Sequence, residues 1–214
     1  MANSNLPFGL MPLWSLDGTV TNFSVNPRKI LSTDTTAIFR GDPVITGAST
    51  EAGYIRQYVP GQSSQVAGVF WDCEYYSKAA KIPVMMKYWP GTGDALANPY
   101  PANIFTNPSA RFIAQTGASS GTVSPASIAN VGNTVDVNFT GAANVGSTVT
   151  GQSSCYIDLY TAVSSSGTVL PFRILGLASD FLPSGWPGTD DTTAYNWVVV
   201  GFNFAETRSV TAVA

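Results

Sequence analysis

The sequence predicts a nearly all-β protein, an antiparallel β-sandwich or barrel of jelly-roll-like form with an extended N-terminal arm. Three observations lead to this. Apolar, β-branched and aromatic residues come in short runs bounded by Gly and Pro. No stretch keeps helical spacing for three turns. Charged residues are only 11% of the 214 residues, while hydrophobic residues are 44%. A sizeable core is therefore available, and the polar surface must come mainly from Ser, Thr, Asn and Gly.

Residues 1–30 read as the arm. Leu6, Phe8, Leu10, Leu13, Trp14 and Leu16 are apolar, and Pro7 and Pro12 forbid a regular helix through them. An apolar segment that cannot fold alone needs a surface to lie on. That surface is either its own barrel or another subunit. We expect Leu6, Pro7, Phe8, Leu10, Leu13 and Trp14 to make an intersubunit contact.

Residues 31–214 read as a single β domain. Thr36–Arg40 is a short run, Gly41-Asp42-Pro43 turns the chain, and Val44-Ile45-Thr46 restarts the strand. Tyr54–Val59 follows, then Gln65–Tyr76, the longest strand candidate. In it Val69, Trp71, Cys73 and Tyr75 alternate with Phe70, Asp72, Glu74 and Tyr76, which predicts two opposite faces. Ile82–Trp89 is the next strand. Prolines at 90, 99, 101 and 108 break every pattern in 90–109, so this stretch is expected to be an irregular loop. Strand character resumes at Arg111–Gln115. Within the Gly/Ser/Thr-rich stretch 117–151, Val131-Gly-Asn-Thr-Val135 is echoed by Val145-Gly-Ser-Thr-Val149, which suggests turn-then-strand units. Cys155–Tyr160, Thr168–Leu177 and Tyr195–Phe204 read as strands, and Arg208–Val213 as a possible last one.

Composition excludes much chemistry. The chain has no histidine, which removes the commonest general base, the commonest metal ligand and any Ser-His-Asp triad. The two cysteines, Cys73 and Cys155, are too few for a zinc site without histidine. Both lie in apolar strand-like runs and are expected to be buried thiols. The net charge is −3 and the ten basic residues are scattered, which argues against nucleic-acid binding. No signal peptide and no run of membrane-spanning length is visible, so assembly in a cytoplasm is expected.

Carboxylates are the remaining catalytic candidates. Asp72 and Glu74 could act as a glycosidase pair, or simply form a solvated strand face beside Lys78 and Lys81. Asp190 and Asp191 lie in a Gly/Thr-rich loop, where the choice is between a Ca²⁺ ligand pair and a solvated turn. The solvated reading is taken in both cases, so no catalytic residue, metal ligand or cofactor is expected, and the chain is not expected to be an enzyme. Trp71, Trp89 and Trp197 fall within strand runs, where core packing is expected. Trp14 and Trp186 fall in irregular segments and are the better candidates for exposed contacts.

The opening Met1-Ala-Asn-Ser-Asn5-Leu-Pro-Phe-Gly-Leu10-x-Pro12 resembles that of a group of small structural proteins of tailed bacteriophages, encoded near the major capsid protein. Further matches follow in order: Gly41-Asp-Pro-Val44, Ala67-Gly-Val-Phe70, Trp89-Pro-Gly91, Arg111-Phe-x-x-Gln115, Pro171-Phe-Arg-Ile-Leu-Gly-Leu177 and Val198-Val-Val-x-Phe202-Asn203. The resemblance implies a capsid decoration, or cement, protein. It would bind the major capsid protein on the outer face of the virion, often as a homotrimer, with no small-molecule substrate, nucleic acid or membrane as partner. Two other readings are a carbohydrate-binding or host-recognition module, which needs an exposed aromatic platform, and a depolymerase-type glycosidase, which needs two carboxylates facing each other across a groove.

Overall fold

The computed structural model describes residues 2–13, 25–62, 65–96, 100–140, 146–163 and 170–208. Among them the helical segments are short 3-10 turns, and the rest of the regular structure is strand. The strands are β1 (Met11–Leu13), β2 (Val25–Ile30), β3 (Ile38–Phe39), β4 (Pro43–Thr46), β5 (Tyr54–Gln57), β6 (Gly68–Tyr76) and β7 (Pro83–Met86). They continue with β8 (Tyr88–Trp89), β9 (Tyr100–Phe105), β10 (Arg111–Gly117), β11 (Thr134–Phe139), β12 (Cys155–Val163), β13 (Phe172–Leu177) and β14 (Trp197–Phe202).

The all-β expectation holds, and the barrel is the form it takes. Two sheets close on themselves. One runs β4-β5-β2-β9-β6 and returns through a β4–β6 pairing, with β7 added at the edge of β6. The other runs β10-β12-β11-β13-β14 and returns through β10–β14, with β1 added beside β10. Closure removes most free strand edges. Each barrel contains one parallel pair, β2–β5 and β10–β12, among otherwise antiparallel ladders.

The two barrels are the same barrel twice. In each, taken in chain order, the first strand pairs in parallel with the third, the third with the second, the second with the fourth, the fourth with the fifth and the fifth with the first. One residue alignment satisfies all five ladders. It places Ile30 on Thr116, Val44 on Val135, Ile55 on Ile157, Phe70 on Ile174 and Ile104 on Val200. Both fourth strands carry a bulge at the matching place, Trp71 and Leu175. Both second strands are entered through a left-handed glycine, Gly41 (φ 93°) and Gly132 (φ 94°). The Gly41 N–H donates to the Phe70 carbonyl and the Gly132 N–H to the Ile174 carbonyl. Aligned this way, Gly41-Asp-Pro-Val44 matches Gly132-Asn-Thr-Val135, and Tyr54-Ile-x-x-Tyr58 matches Tyr156-Ile-x-x-Tyr160. The molecule is an internal duplication, and the partner of the 131–135 motif lies at residues 40–44. The expected echo at 145–149 is no strand, since residues 146–149 are coil and turn and Val145 lies outside the described residues.

Several expectations are corrected here. The stretch 90–109 contains β9, which joins β2 to β6 in the first barrel. Pro101 is tolerated because the β6 ladder stops at Ala102, so Pro101 has a strand neighbour on one side only. The stretch 1–30 contains β2, a barrel strand, and Pro27 lies outside its β5 ladder for the same reason. The predicted faces of β6 fail at the bulge. The extra residue Trp71 shifts the alternation, so Phe70, Cys73 and Tyr75 all enter the interior of the first barrel. Of the final strand expected at Arg208–Val213, Arg208 ends a 3-10 turn, Glu206–Arg208, and residues 209–213 lie outside the described residues.

The first barrel is filled by Ile30, Val44, Ile55, Phe70, Tyr75, Trp89 and Ile104. The second is filled by Val135, Val137, Ile157, Phe172, Ile174, Val198 and Val200, and this cluster continues into the junction through Leu10, Ile45, Tyr58, Val69 and Phe105. Each such side chain fully buried contributes about 1.5–3 kcal/mol before entropy is counted. Cys73 and Cys155 are buried and unbridged. Burial raises both thiols above their ordinary range, so they are poor nucleophiles in the folded protein. Alkylation at pH 8 should therefore modify neither cysteine in the native protein and both in unreduced, denatured protein, read by mass. Protection of both until reductant is added would show a disulfide.

Candidate interaction surfaces

Two surfaces stand out, one at each barrel. The first is where the N-terminal arm meets the loop before β14. Asn3 fixes the arm there. Its Nδ2 donates to the Asp190 carbonyl at 2.9 Å and to Thr193 Oγ1 at 2.9 Å, and its Oδ1 accepts the Gly188 N–H at 3.1 Å. Phe8 packs edge-on against Trp197, with ring centroids 4.9 Å apart. The Trp197 ring also packs against Gly188, where a Cβ would lie 2.1 Å from the ring. Gly188 also has φ 78°, so no other residue fits there without strain.

The arm residues fare differently from one another. Leu10 is fully buried at the junction of the barrels. Its N–H donates to the Gly41 carbonyl of the first barrel, while the Gly9 N–H donates to the Cys155 carbonyl of the second. Met11, Pro12 and Leu13 pair with Ile113, Phe112 and Arg111 as an added strand, and Leu13 and Pro7 are half-buried. Trp14 lies outside the described residues. Among the described large apolar side chains of the arm, only Leu6 is well exposed, at 73%. The described arm is thus largely committed to its own two barrels.

Between the arm and the 185–188 loop lies a cleft of about 240 Å³, walled by Asn3, Leu6, Gln115, Trp186, Gly188 and Trp197. Trp186 is 57% exposed, as its irregular segment suggested. Trp197 and Gln115 were not legible as site residues. Both alternate correctly within apolar strands, and only the arm crossing over them turns them into cleft wall. The neighbouring residues hold that wall in place. Asn196, fully buried, receives the Ala126 N–H at 2.9 Å and donates to the Ala126 carbonyl at 2.8 Å, and Thr116 Oγ1 donates to its carbonyl at 2.8 Å.

The second surface is the β6–β7 hairpin. Tyr76 pairs with Pro83 and Glu74 with Met85, which puts Glu74, Tyr76, Pro83 and Met85 on the outward face. Ile82 lies in the turn, and the Leu96 N–H donates to the Tyr76 carbonyl. The exposures are 69% for Met85, 55% for Ile82, 38% for Leu96 and 37% for Tyr76. The Tyr76 hydroxyl donates to the Lys81 carbonyl and closes the turn. β7 ends its sheet, and Lys78, Lys81 and Lys87, close to the hairpin in sequence, are exposed.

The carboxylate candidates take structural places. Asp72 accepts from Asn103 Nδ2 at 2.6 Å, and Glu74 is exposed. Asp190 caps its own turn, accepting the Thr192 hydroxyl and N–H, which hold its carboxyl below the ordinary carboxylate pKa. Asp191 accepts from the Ser179 hydroxyl and from Asn196. Among the described residues no group of three or more Cys, Asp or Glu side chains is placed to hold a metal.

Fold and surfaces together define a class: a duplicated five-stranded barrel with an apolar edge hairpin on one copy and an aromatic cleft on the other. No protein family, no curated protein and no solved structure matches the chain.

Proposed function

We propose that the chain is a capsid decoration protein of a tailed bacteriophage, bound to the major capsid protein on the outer surface of the shell as a homo-oligomer, with a trimer favoured. The observation that carries this reading is the apolar face of the β6–β7 hairpin. Tyr76, Ile82, Pro83, Met85 and Leu96 form one exposed patch beside a strand edge with no neighbour among the described residues. Such a patch marks a partner surface, and an unpaired edge adds backbone hydrogen bonds to whatever docks. A surface of Ser, Thr and Asn and a histidine-free chain fit a binder without chemistry. The regular shell lattice then strengthens modest contacts through effective concentration.

The test uses purified protein and empty shells of the phage that encodes it. The wild type should sediment with shells in a fixed ratio to the capsid protein. The variant Ile82→Asp/Met85→Asp should bind at least about 100-fold more weakly, because charges then enter a desolvated contact, with an unchanged melting temperature. Absence of stoichiometric binding by the wild type would overturn the reading.

A further inference from the structure

We propose that Asp136, facing Asp158 across the β11–β12 ladder, is a proton-controlled latch. It holds the turn at 59–62 of the first barrel on the second barrel and releases it when both carboxyls are ionised. This goes beyond the shell contact and does not depend on it.

The turn is built to reach across. Pro60 and Gly61 stand at its centre, Gly61 has φ 79°, and the Gln62 N–H donates to the Val59 carbonyl at 3.3 Å, which fits a type II turn. The fully buried Tyr58 braces it, its hydroxyl donating to the Gln62 carbonyl at 3.0 Å. The turn closes with the Gln62 N–H, so the Gly61 N–H is left to bond elsewhere. It donates to Asp136 Oδ2 of the second barrel at 2.7 Å. Gly61 itself is exposed, so exchange of this N–H with water reads the opening of the contact.

The carboxyl it meets lies opposite a like charge. Asp136 and Asp158 are direct cross-strand partners, 2% and 1% exposed. Side chains so paired lie on one face with Cβ atoms about 4.5–5.5 Å apart, where like charges repel. Asp136 Oδ1 accepts the Val137 N–H at 2.8 Å, and Asp158 Oδ1 accepts the Ser119 and Tyr160 N–H groups, each at 3.0 Å. Tyr58 and Cys155 are the other titratable groups beside Asp136, and Tyr156 is beside Asp158. No described Lys or Arg forms an ion pair with either carboxylate. The duplication shows that the barrel itself does not need this pair. The same cross-strand place in the first barrel is held by Ile45 and Arg56. Tyr160, which takes the place of Tyr58, is 68% exposed. Both the acid pair and the braced turn therefore belong to the junction of the barrels.

The sign follows from the surroundings. Burial raises the Asp136 carboxyl above the ordinary carboxylate value, and Asp158 adds to this. The Gly61 and Val137 N–H groups and the Tyr58 hydroxyl pull the other way and offset only part of it. With the folded value above the unfolded one, the docked turn holds the proton more tightly than the open one. The latch is therefore firm at acid pH and slackens as pH rises through the folded value.

The experiment follows amide exchange of the full-length protein by NMR from about pH 4 to about pH 8. Each observed rate is compared with that of the same residue in an unfolded chain. Protection of the Gly61 N–H should fall at least about tenfold across this range, the effect of one unit of raised pKa. In Asp136→Asn it should change by no more than about twofold, since the amide cannot ionise. In Asp158→Asn the fall should persist but move toward acid by at least about half a pH unit, because the opposing charge is gone. Asp42→Asn should leave the fall in place, which separates the latch from unfolding of the whole chain. Constant protection of Gly61 in the wild type would overturn the proposal. So would a fall that survives in Asp136→Asn, stays put in Asp158→Asn or vanishes in Asp42→Asn. If Asp136→Asn does not fold, the wild-type profile and the Asp158→Asn shift still decide.

Discussion

Replacing Asn196 by alanine should cost about 4 kcal/mol of folding stability, the largest loss expected from any single polar side chain here. Asn196 is fully buried and its amide holds both backbone groups of Ala126, itself fully buried. It also donates to Asp191 at 3.2 Å. Alanine removes every one of these partners and leaves the Ala126 N–H and C=O in a dry interior. Each unmet backbone group costs about 1–3 kcal/mol. In a protein of this size that lowers the melting temperature by roughly 10 °C. Asn196→Asp should not rescue it, because a carboxylate cannot donate to the Ala126 carbonyl and would face Asp191. Thermal and urea unfolding of the three proteins measure the effect. A loss under about 1 kcal/mol for Asn196→Ala would mean that the 118–126 segment is held by other contacts.

Asp42→Asn should change the pH dependence of stability, and in the stabilising direction at neutral pH. Asp42 is fully buried, and burial pushes its carboxyl from 3.8 up to about 7. Hydrogen bonds from the Phe39 N–H at 2.8 Å and Gln57 Nε2 at 2.7 Å offset only part of that. With the folded value above the unfolded one, the folded state holds the proton more tightly. The contribution is complete below about pH 4 and is lost as pH rises through about 7. At about 1.4 kcal/mol per unit, the change approaches about 4 kcal/mol between these limits. The amide keeps the acceptor and cannot ionise. Asp42→Asn should therefore match the wild type near pH 4 and exceed it by about 2–4 kcal/mol at pH 8. The duplicated barrel already carries this residue, since Asn133 occupies the place of Asp42, and its carbonyl accepts the Ile174 N–H as that of Asp42 accepts the Phe70 N–H. Burial also raises Asp34 and Asp136, so a shallower slope of the same sign should remain in the variant. Urea unfolding across pH 4–8 decides, and parallel curves for the two proteins would refute the assignment.

What the sequence determined by itself is what local chemistry determines. Short β-branched and aromatic runs, cut by Gly and Pro, can only be strands and turns. Gly41 and Gly132 sit where left-handed backbone is needed, and the lack of histidine removes whole classes of catalysis. The exposure of Trp186 also followed from its Pro/Gly-rich surroundings. Tertiary structure decided the rest, because strand pairing depends on residues far apart in the chain. Nothing local says that Ile30 lies beside Ile55 in parallel, or that Thr116 and Ile157 repeat that pairing. One bulge at Trp71 reverses the inward set of β6, and no alternation rule anticipates an inserted residue. Pro101 and Pro27 read as breakers until the ladders show each with a single neighbour. Gln115 reads as one polar residue in an apolar strand. Only the arm passing over it, tied down by Asn3 to the loop before β14, turns it into the wall of a cleft, since a site is made by surfaces meeting and a sequence records them apart.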